Sequence, residues 1–341
     1  MLNKIKKTNF WKKISKSYIY ILIREIKKIR LIINRFNRKC SFSLISDMIN
    51  ERRYNNVPYE EYFLFEFDHI NEQERRSFVT DYERVEIANS LNLPKNDPIF
   101  YDKEITYKIF GKYYYRDVLR IKSYEDKNLF IEFISKHPSF ICKPIDGGCG
   151  VGIKIVNVLS EESEEALFEK LIFDYKGKCI IEELIVQAEE MNVLHPHSVN
   201  TVRVPSIRFD DRVEIVHPFL RVGKGGNITD NAGSGGIICS IDSNDGIVTA
   251  TADEFGNTYD IHPDTKEKLI GFKVPRWNEA VELVKELAQI VPDNRYCSWD
   301  LALTEKGWVM VEVNAKGQFV WQYATKIGFR NEINNILSEL Q

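Results

Sequence analysis

Apolar residues recur at steps of three and four along residues 9–38. Trp11, Ile14, Tyr18, Leu22, Ile26, Ile29 and Ile33 fall on one face of a helix. Ile19, Tyr20, Ile21 and Ile23 widen that surface around the middle turns. From residue 46 to about 135 the pattern is mixed and mostly helical, with Tyr59, Tyr62, Phe63, Phe65 and Phe67 set among acids. Pro94, Asn96, Asp97 and Pro98 mark a loop, and a further helix opens at Asp102-Lys103. The period then shortens. Residues 140–143, 153–158, 179–181, 201–209, 212–222 and 236–241 read as strands. Helices over 161–171 and 278–290 lie among them, and a last helix starts near Asn331.

The stretch SWDLALTEKGWVMVEVN, residues 298–314, reads as two strands joined by a three-residue turn, Glu305-Lys306-Gly307, with Gly307 supplying positive φ. That loop pairs Thr304 with Trp308, Ala302 with Met310 and Asp300 with Glu312. Alternation then puts Trp299, Leu301 and Leu303 on a buried side with Val309, Val311 and Val313, and Asp300, Glu312 and Asn314 on the other. Opposed carboxylates about 5 Å apart repel, which a divalent cation between them reverses. Oxygen ligands suit Mg²⁺. A half-exposed hairpin whose acids face water satisfies the same pattern.

Charge is distributed unevenly. Residues 1–45 hold 13 lysines and arginines against one acid, Glu25, so this head carries +12 in a chain of net −3, leaving −15 on the body. The basic helix is either an amphipathic element lying on an anionic membrane through residues 1–40, or a helix packed on its own protein. The first apolar run, residues 18–23, is too short for a secretory signal, and Arg24, Glu25, Lys27, Lys28 and Arg30 interrupt any transmembrane helix. Six cysteines, with no C-x-x-C pair, point to reduced thiols in a cytoplasmic setting and away from structural zinc. At 341 residues two or three subdomains are expected.

Candidate chemistry concentrates in the body. In FICKPIDGGCGVGIKIVNV two strands enclose Gly147, Gly148, Gly150 and Gly152, a loop whose backbone could close over phosphate. Lys143 just before it could supply a point charge. No G-K-[ST] follows, so this is no Walker loop. In CIIEELIVQAEE a strand runs out at Glu182, Glu183 and Ile185, where backbone groups suit an adenine edge, and Glu189 could take ribose hydroxyls; a surface acidic cluster reads the same way. His195-Pro196-His197 lacks a third metal ligand nearby and reads as structural or substrate-facing. Arg203, on a strand, is by default an ion-pair partner, Lys103 a solvated lysine, and the loop 227–235 a turn-rich segment open to substrate.

Three features in this order, KPIDGGCGVG, IIEELI and WDLAL…VEVN, resemble the ATP-grasp superfamily. With HPHSVNTVR between them, the chain over about residues 95–325 is similar to the sugar-transfer-associated ATP-grasp proteins of bacterial polysaccharide clusters. The resemblance implies an α+β ATP-grasp fold, two α+β subdomains sandwiching ATP, here behind a helical N-terminal extension. The expected parts are a basic extension over 1–45, a mostly helical region over 46–135, a lid over 136–190 and a larger metal-bearing subdomain over 191–341. It assigns Lys103 and Lys143 to the phosphates and the four glycines to a covering loop. Glu182, Glu183 and Ile185 fall on the adenine hinge, Glu189 on the ribose, and Asp300, Glu312 and Asn314 on Mg²⁺. Arg203, with Lys143, takes the catalytic role near the reacting phosphate. The implied reaction joins a carboxylate to an amine through an acylphosphate, on a sugar acid or amino acid for surface polysaccharide. A kinase acting on a sugar or lipid-linked hydroxyl, and a non-catalytic nucleotide-binding scaffold, are the rivals. Residues 1–90 show no recognisable acceptor domain, and no nucleic-acid partner is expected.

Overall fold

Runs of β-branched and aromatic residues in the middle of the chain pair into two antiparallel sheets. The computed structural model describes residues 20–146, 151–160, 163–227, 230, 233 and 235–340. The chain divides into two compact units, residues 1–83 with 326–335 and residues 84–325 with 336–341.

The first unit is helical and aromatic. Phe65 stacks on Phe78 at 4.6 Å, and Tyr62 and Phe67 meet edge to face at 6.0 Å. Arg75 joins this ring cluster to Asp47 and Glu51. Residues 20–35 form a helix. Its expected apolar face is divided between two environments. Ile29, Ile32 and Ile33 are buried, Phe36 packs on Phe63, and Tyr59 donates to Glu25, whereas Tyr20, Ile21, Leu22 and Ile23 stay exposed. Trp11, Ile14 and Tyr18 lie outside the described residues. Among the described residues no helix is long and apolar enough to cross a membrane.

The second unit holds both sheets. β1 (Val118–Ile121), β2 (Ser139–Pro144), β3 (Lys154–Asn157) and β4 (Cys179–Glu183) form a four-stranded sheet in the order β1-β4-β2-β3. Helices Lys127–Lys136 and Glu164–Tyr175 bury Phe130, Phe133, Phe168 and Leu171 against it. The larger sheet comprises β5 (Thr201–Arg208), β6 (Val213–Ile215), β7 (Phe219–Val222), β8 (Ile237–Ile241), β9 (Val248–Ala252), β10 (Tyr296–Thr304) and β11 (Gly307–Asn314). Its order is β11-β10-β5-β7-β8-β9, with β6 beside β5. Helix Trp277–Leu287 packs Ala280, Val284 and Leu287 into the same core as Val202, Leu220, Trp299 and Met310.

Two expectations are corrected. The single strand over 212–222 is two, because His217 adopts a positive φ of 45° ahead of Pro218, and that bend breaks the ladder. The last hairpin closes over two residues, Glu305 and Lys306, with Thr304 opposite Gly307 (φ 121°), not Trp308. Ala302 therefore faces Val309, and Leu301 faces Met310. A register shift beyond Leu301 leaves Val311 over as the extra residue of a β-bulge and restores Asp300 opposite Glu312. Trp308 and Met310 thus join Trp299, Leu301, Leu303 and Val313 in one core cluster; Val309 is buried as expected but outside that cluster, and Val311 is half-buried.

Candidate active site

Strand alternation aims charged side chains of both sheets at one region. On β4, Glu182 is buried, its side chain 4% exposed, and carries two cations: Lys143 Nζ from β2 lies 2.9 Å from Oε1, and Arg116 Nη2 donates to Oε2 at 2.7 Å. Burial alone would raise the Glu182 carboxyl, but Lys143 and then Arg116 overrule it and hold the pKa at about 2. Arg116 also reaches the other sheet. Its Nη1 donates to Met310 O at 2.7 Å and its Nη2 to Val311 O at 3.4 Å, the carbonyls at the β11 bulge. Lys103 opens the helix Lys103–Phe110, capped by the Asp102 side chain, and its N–H donates to Ile145 O just past β2. Its pKa is lowered by burial, against the pull of Glu312 and with a further push from Lys143. Lys103 thus senses charges on both sheets.

Asp300 is fully buried on β10. Arg203 Nε and Nη2, from the neighbouring β5, grip its two oxygens at 2.5 and 2.6 Å, and Arg221 Nη2 on β7 adds 2.9 Å. Burial opposes ionisation here as well, and Arg203 followed by Arg221 holds the carboxyl at about 2. Arg221 also bonds Thr201 and lies 3.5 Å from the buried Asp230, whose own pKa burial raises. Glu312 stands opposite Asp300 with 49% of its side chain exposed, 3.7 Å from Arg203 and 3.4 Å from Asn314 Nδ2. Desolvation by its protein neighbours, then the Asp300 charge, raises its pKa.

The donor set suits a hard divalent cation. Asp300 Oδ1 accepts one Arg203 bond, which leaves a carboxylate lone pair, and Glu312 and Asn314 add oxygens on the same face. Asp300, opposite Glu312, adds to the desolvation that raises the Glu312 carboxyl, and a cation between the two carboxylates would relieve that repulsion.

The other predicted residues sit as follows. Gly152 has φ +78° at the exit of the glycine loop, while Gly147, Gly148 and Gly150 lie outside the described residues. Glu183 accepts from the Asp117 N–H at 3.0 Å, at the point where β4 ends and Ile185 leaves the sheet. Glu189 opens a short helix and accepts from Asn192 at 3.2 Å. His195 is structural: Nδ1 meets Ser198 Oγ and Nε2 meets Gly225 O, both at 2.9 Å. His197 is exposed and, with Pro196, Gly226, Asp264 and Thr265, lines a 460 Å³ cavity beyond the end of β7. Arg116, Arg221 and Asp230 were missed from sequence. The available signal for Arg221 was a single cation inside the apolar run Phe219–Val222, every residue of which is buried.

The model of the sugar-transfer associated ATP-grasp family matches residues 82–338, and the chain belongs to that family. Among solved structures it is similar to the ATP-grasp ligase PsnB complexed with minimal precursor, Mg and ADP, at 14% identity, with 73% of this chain and 62% of that chain covered and a TM-score of 0.45. The D-alanine-D-alanine ligase of Helicobacter pylori has 14% identity over 73% of this chain and 64% of its own, with a TM-score of 0.46. For D-alanyl-alanine synthetase A of Vibrio cholerae O1 biovar eltor str. N16961 the figures are 11%, 65%, 57% and 0.40. The chain thus spans less than two thirds of each of these structures. None of the curated proteins matches it.

Proposed function

We propose that the chain is an ADP-forming, ATP-dependent carboxylate–amine ligase that works on a sugar acid or amino acid for bacterial surface polysaccharide. What carries this reading is the meeting, through Arg116 and Lys103, of the Lys143–Glu182 pair with the hairpin bearing Asp300 and Glu312. Lys103 and Lys143 bind the ATP phosphates, Glu182, Glu183, Ile185 and Glu189 take adenosine, and the glycine loop, Gly147, Gly148, Gly150 and Gly152, covers them. Magnesium, held by Asp300, Glu312 and Asn314, supplies charge neutralisation at phosphate oxygens. A substrate carboxylate oxygen bonds the γ-phosphorus as the bond to the β-phosphate oxygen breaks and ADP leaves. An amine then attacks the acyl carbon, loses its proton and expels phosphate. Arg203 and Lys143 stabilise charge that develops at the transferring phosphoryl group.

The test is ADP and phosphate release that requires both an acid and an amine, screened across sugar acids and amino acids. AMP and pyrophosphate would rule out the acylphosphate. Hydroxylamine separates a ligase from a kinase on the same scaffold, because only the acylphosphate gives a hydroxamate. The exposed residues 20–23, beside Arg24, Lys27 and Arg30, support a peripheral contact with an anionic membrane on its cytoplasmic side. Co-sedimentation with anionic liposomes that is equal with and without residues 1–40 would remove that contact.

A further inference from the structure

Resting on the nucleotide reading above, we infer that Arg116 is a positioning residue: by neutralising Glu182 it makes Lys143 the surplus positive charge offered to the ATP phosphates. The geometry is a carboxylate claimed from two sides. Arg116 spends Nε and Nη2 on Glu182 Oε2 at 2.9 and 2.7 Å, and Lys143 holds Oε1 at 2.9 Å. All three side chains are buried, at 4%, 4% and 11% exposure, so their charges are weakly screened. Two cations and one carboxylate leave one positive charge. Without Arg116, Lys143 and Glu182 would form a neutral pair, and an anion could recruit the lysine only by stranding a buried carboxylate, which is costly.

Arg116 is built for that duty. Nη1 donates to Met310 O at 2.7 Å and Tyr114 O at 3.3 Å, Nη2 also reaches Val311 O, and the guanidinium lies 4.3 Å over the Tyr114 ring. The β11 bulge provides two of those carbonyls. The fork is therefore anchored on one sheet and aimed at the hinge carboxylate of the other, so Arg116 stays on Glu182 when Lys143 turns to phosphate.

The experiment measures binding of ADP and of adenosine to the full chain, free of any turnover assay. Arg116→Met weakens ADP about ten- to a hundredfold, the range for a bond to a charged group. It leaves adenosine, which has no phosphate for Lys143, unchanged. Arg116→Met with Glu182→Gln removes both buried charges and leaves Lys143 in surplus; any lost adenine contact weakens ADP and adenosine alike, so the ratio of ADP to adenosine affinity returns to the wild-type value. Wild-type ADP binding in Arg116→Met, equal loss for ADP and adenosine, or a double variant weak for ADP alone overturns the inference. Should Arg116→Met fail to fold, the double variant decides on the same criterion. A wild-type chain that binds no ADP overturns the nucleotide reading, and this inference falls with it.

Discussion

The two ion clusters of the second unit use the same parts and end with opposite charge. On the small sheet two cations, Lys143 and Arg116, surround one carboxylate, Glu182. On the large sheet two cations, Arg203 and Arg221, face three carboxylates, Asp300, Asp230 and Glu312. Glu182 in the first cluster and Asp300 in the second are held at about 2, so their charge is spent inside the protein. What differs is the remainder, positive beside Lys143 and negative beside Glu312. Polyphosphate suits the first and a divalent metal the second. Buried pairs are weak evidence for stability, and here the uncompensated residue is the one that could meet a ligand.

The comparison breaks most visibly at Asp300. Asp300→Asn keeps the shape but leaves Arg203 and Arg221 without their shared anion, so stability should fall by about 3–5 kcal/mol, as for other broken buried pairs, and turnover should vanish. Urea unfolding and ADP release read the two effects. An Asp300→Asn chain as stable as wild type would mean that the arginines find other partners.

Glu312→Gln sharpens the contrast. Its side chain is half exposed and only 3.7 Å from Arg203, so little stability depends on it. Removing the surplus negative charge should raise the magnesium concentration needed for ADP release and cut the rate about 10²–10³-fold. A magnesium titration superimposable on wild type would place the metal elsewhere. Lys143→Ala is the mirror variant: Glu182 keeps Arg116, so folding is spared, while the KM for ATP should rise about ten- to a hundredfold. An unchanged KM would remove Lys143 from the phosphates.

How far this was legible in sequence follows from range. Strands β2, β4 and β5 announce themselves by local apolar runs. Asp300 and Glu312 are opposed as alternation predicts, although the odd residue sits in the Val311 bulge instead of the turn. That displacement was invisible because Gly307 takes positive φ in either arrangement. β1 was missed because four residues, one of them Arg120, carry too little period. Arg116 and Arg221 were missed for a different reason, since their partners lie 66 and 79 residues away and only the fold brings them together. The basic helix shows the converse limit, as its period says that one face is apolar but not that Ile29 and Ile33 are already buried on the protein.

The smallest effect is in the pH dependence of stability, where Asp300 and Glu182 have one sign and Glu312 and Asp230 the other. Asp300 and Glu182 have folded values of about 2, below the ordinary carboxyl values near 4. Their contribution is therefore complete above about pH 4 and is lost as pH falls toward 2. Glu312 is raised, so its contribution is present below the ordinary glutamate value and is lost as pH rises through its folded value. Urea midpoints measured across acid pH should show a steep acid limb in wild type and in Glu312→Gln. The shallow decline just above pH 4 should lessen in Glu312→Gln alone, leaving the part due to Asp230, whose carboxyl burial also raises. An acid limb that weakens with Glu312→Gln would mean that the two opposed carboxylates titrate as one unit, and the division into a spent charge and an offered one would fail at the hairpin.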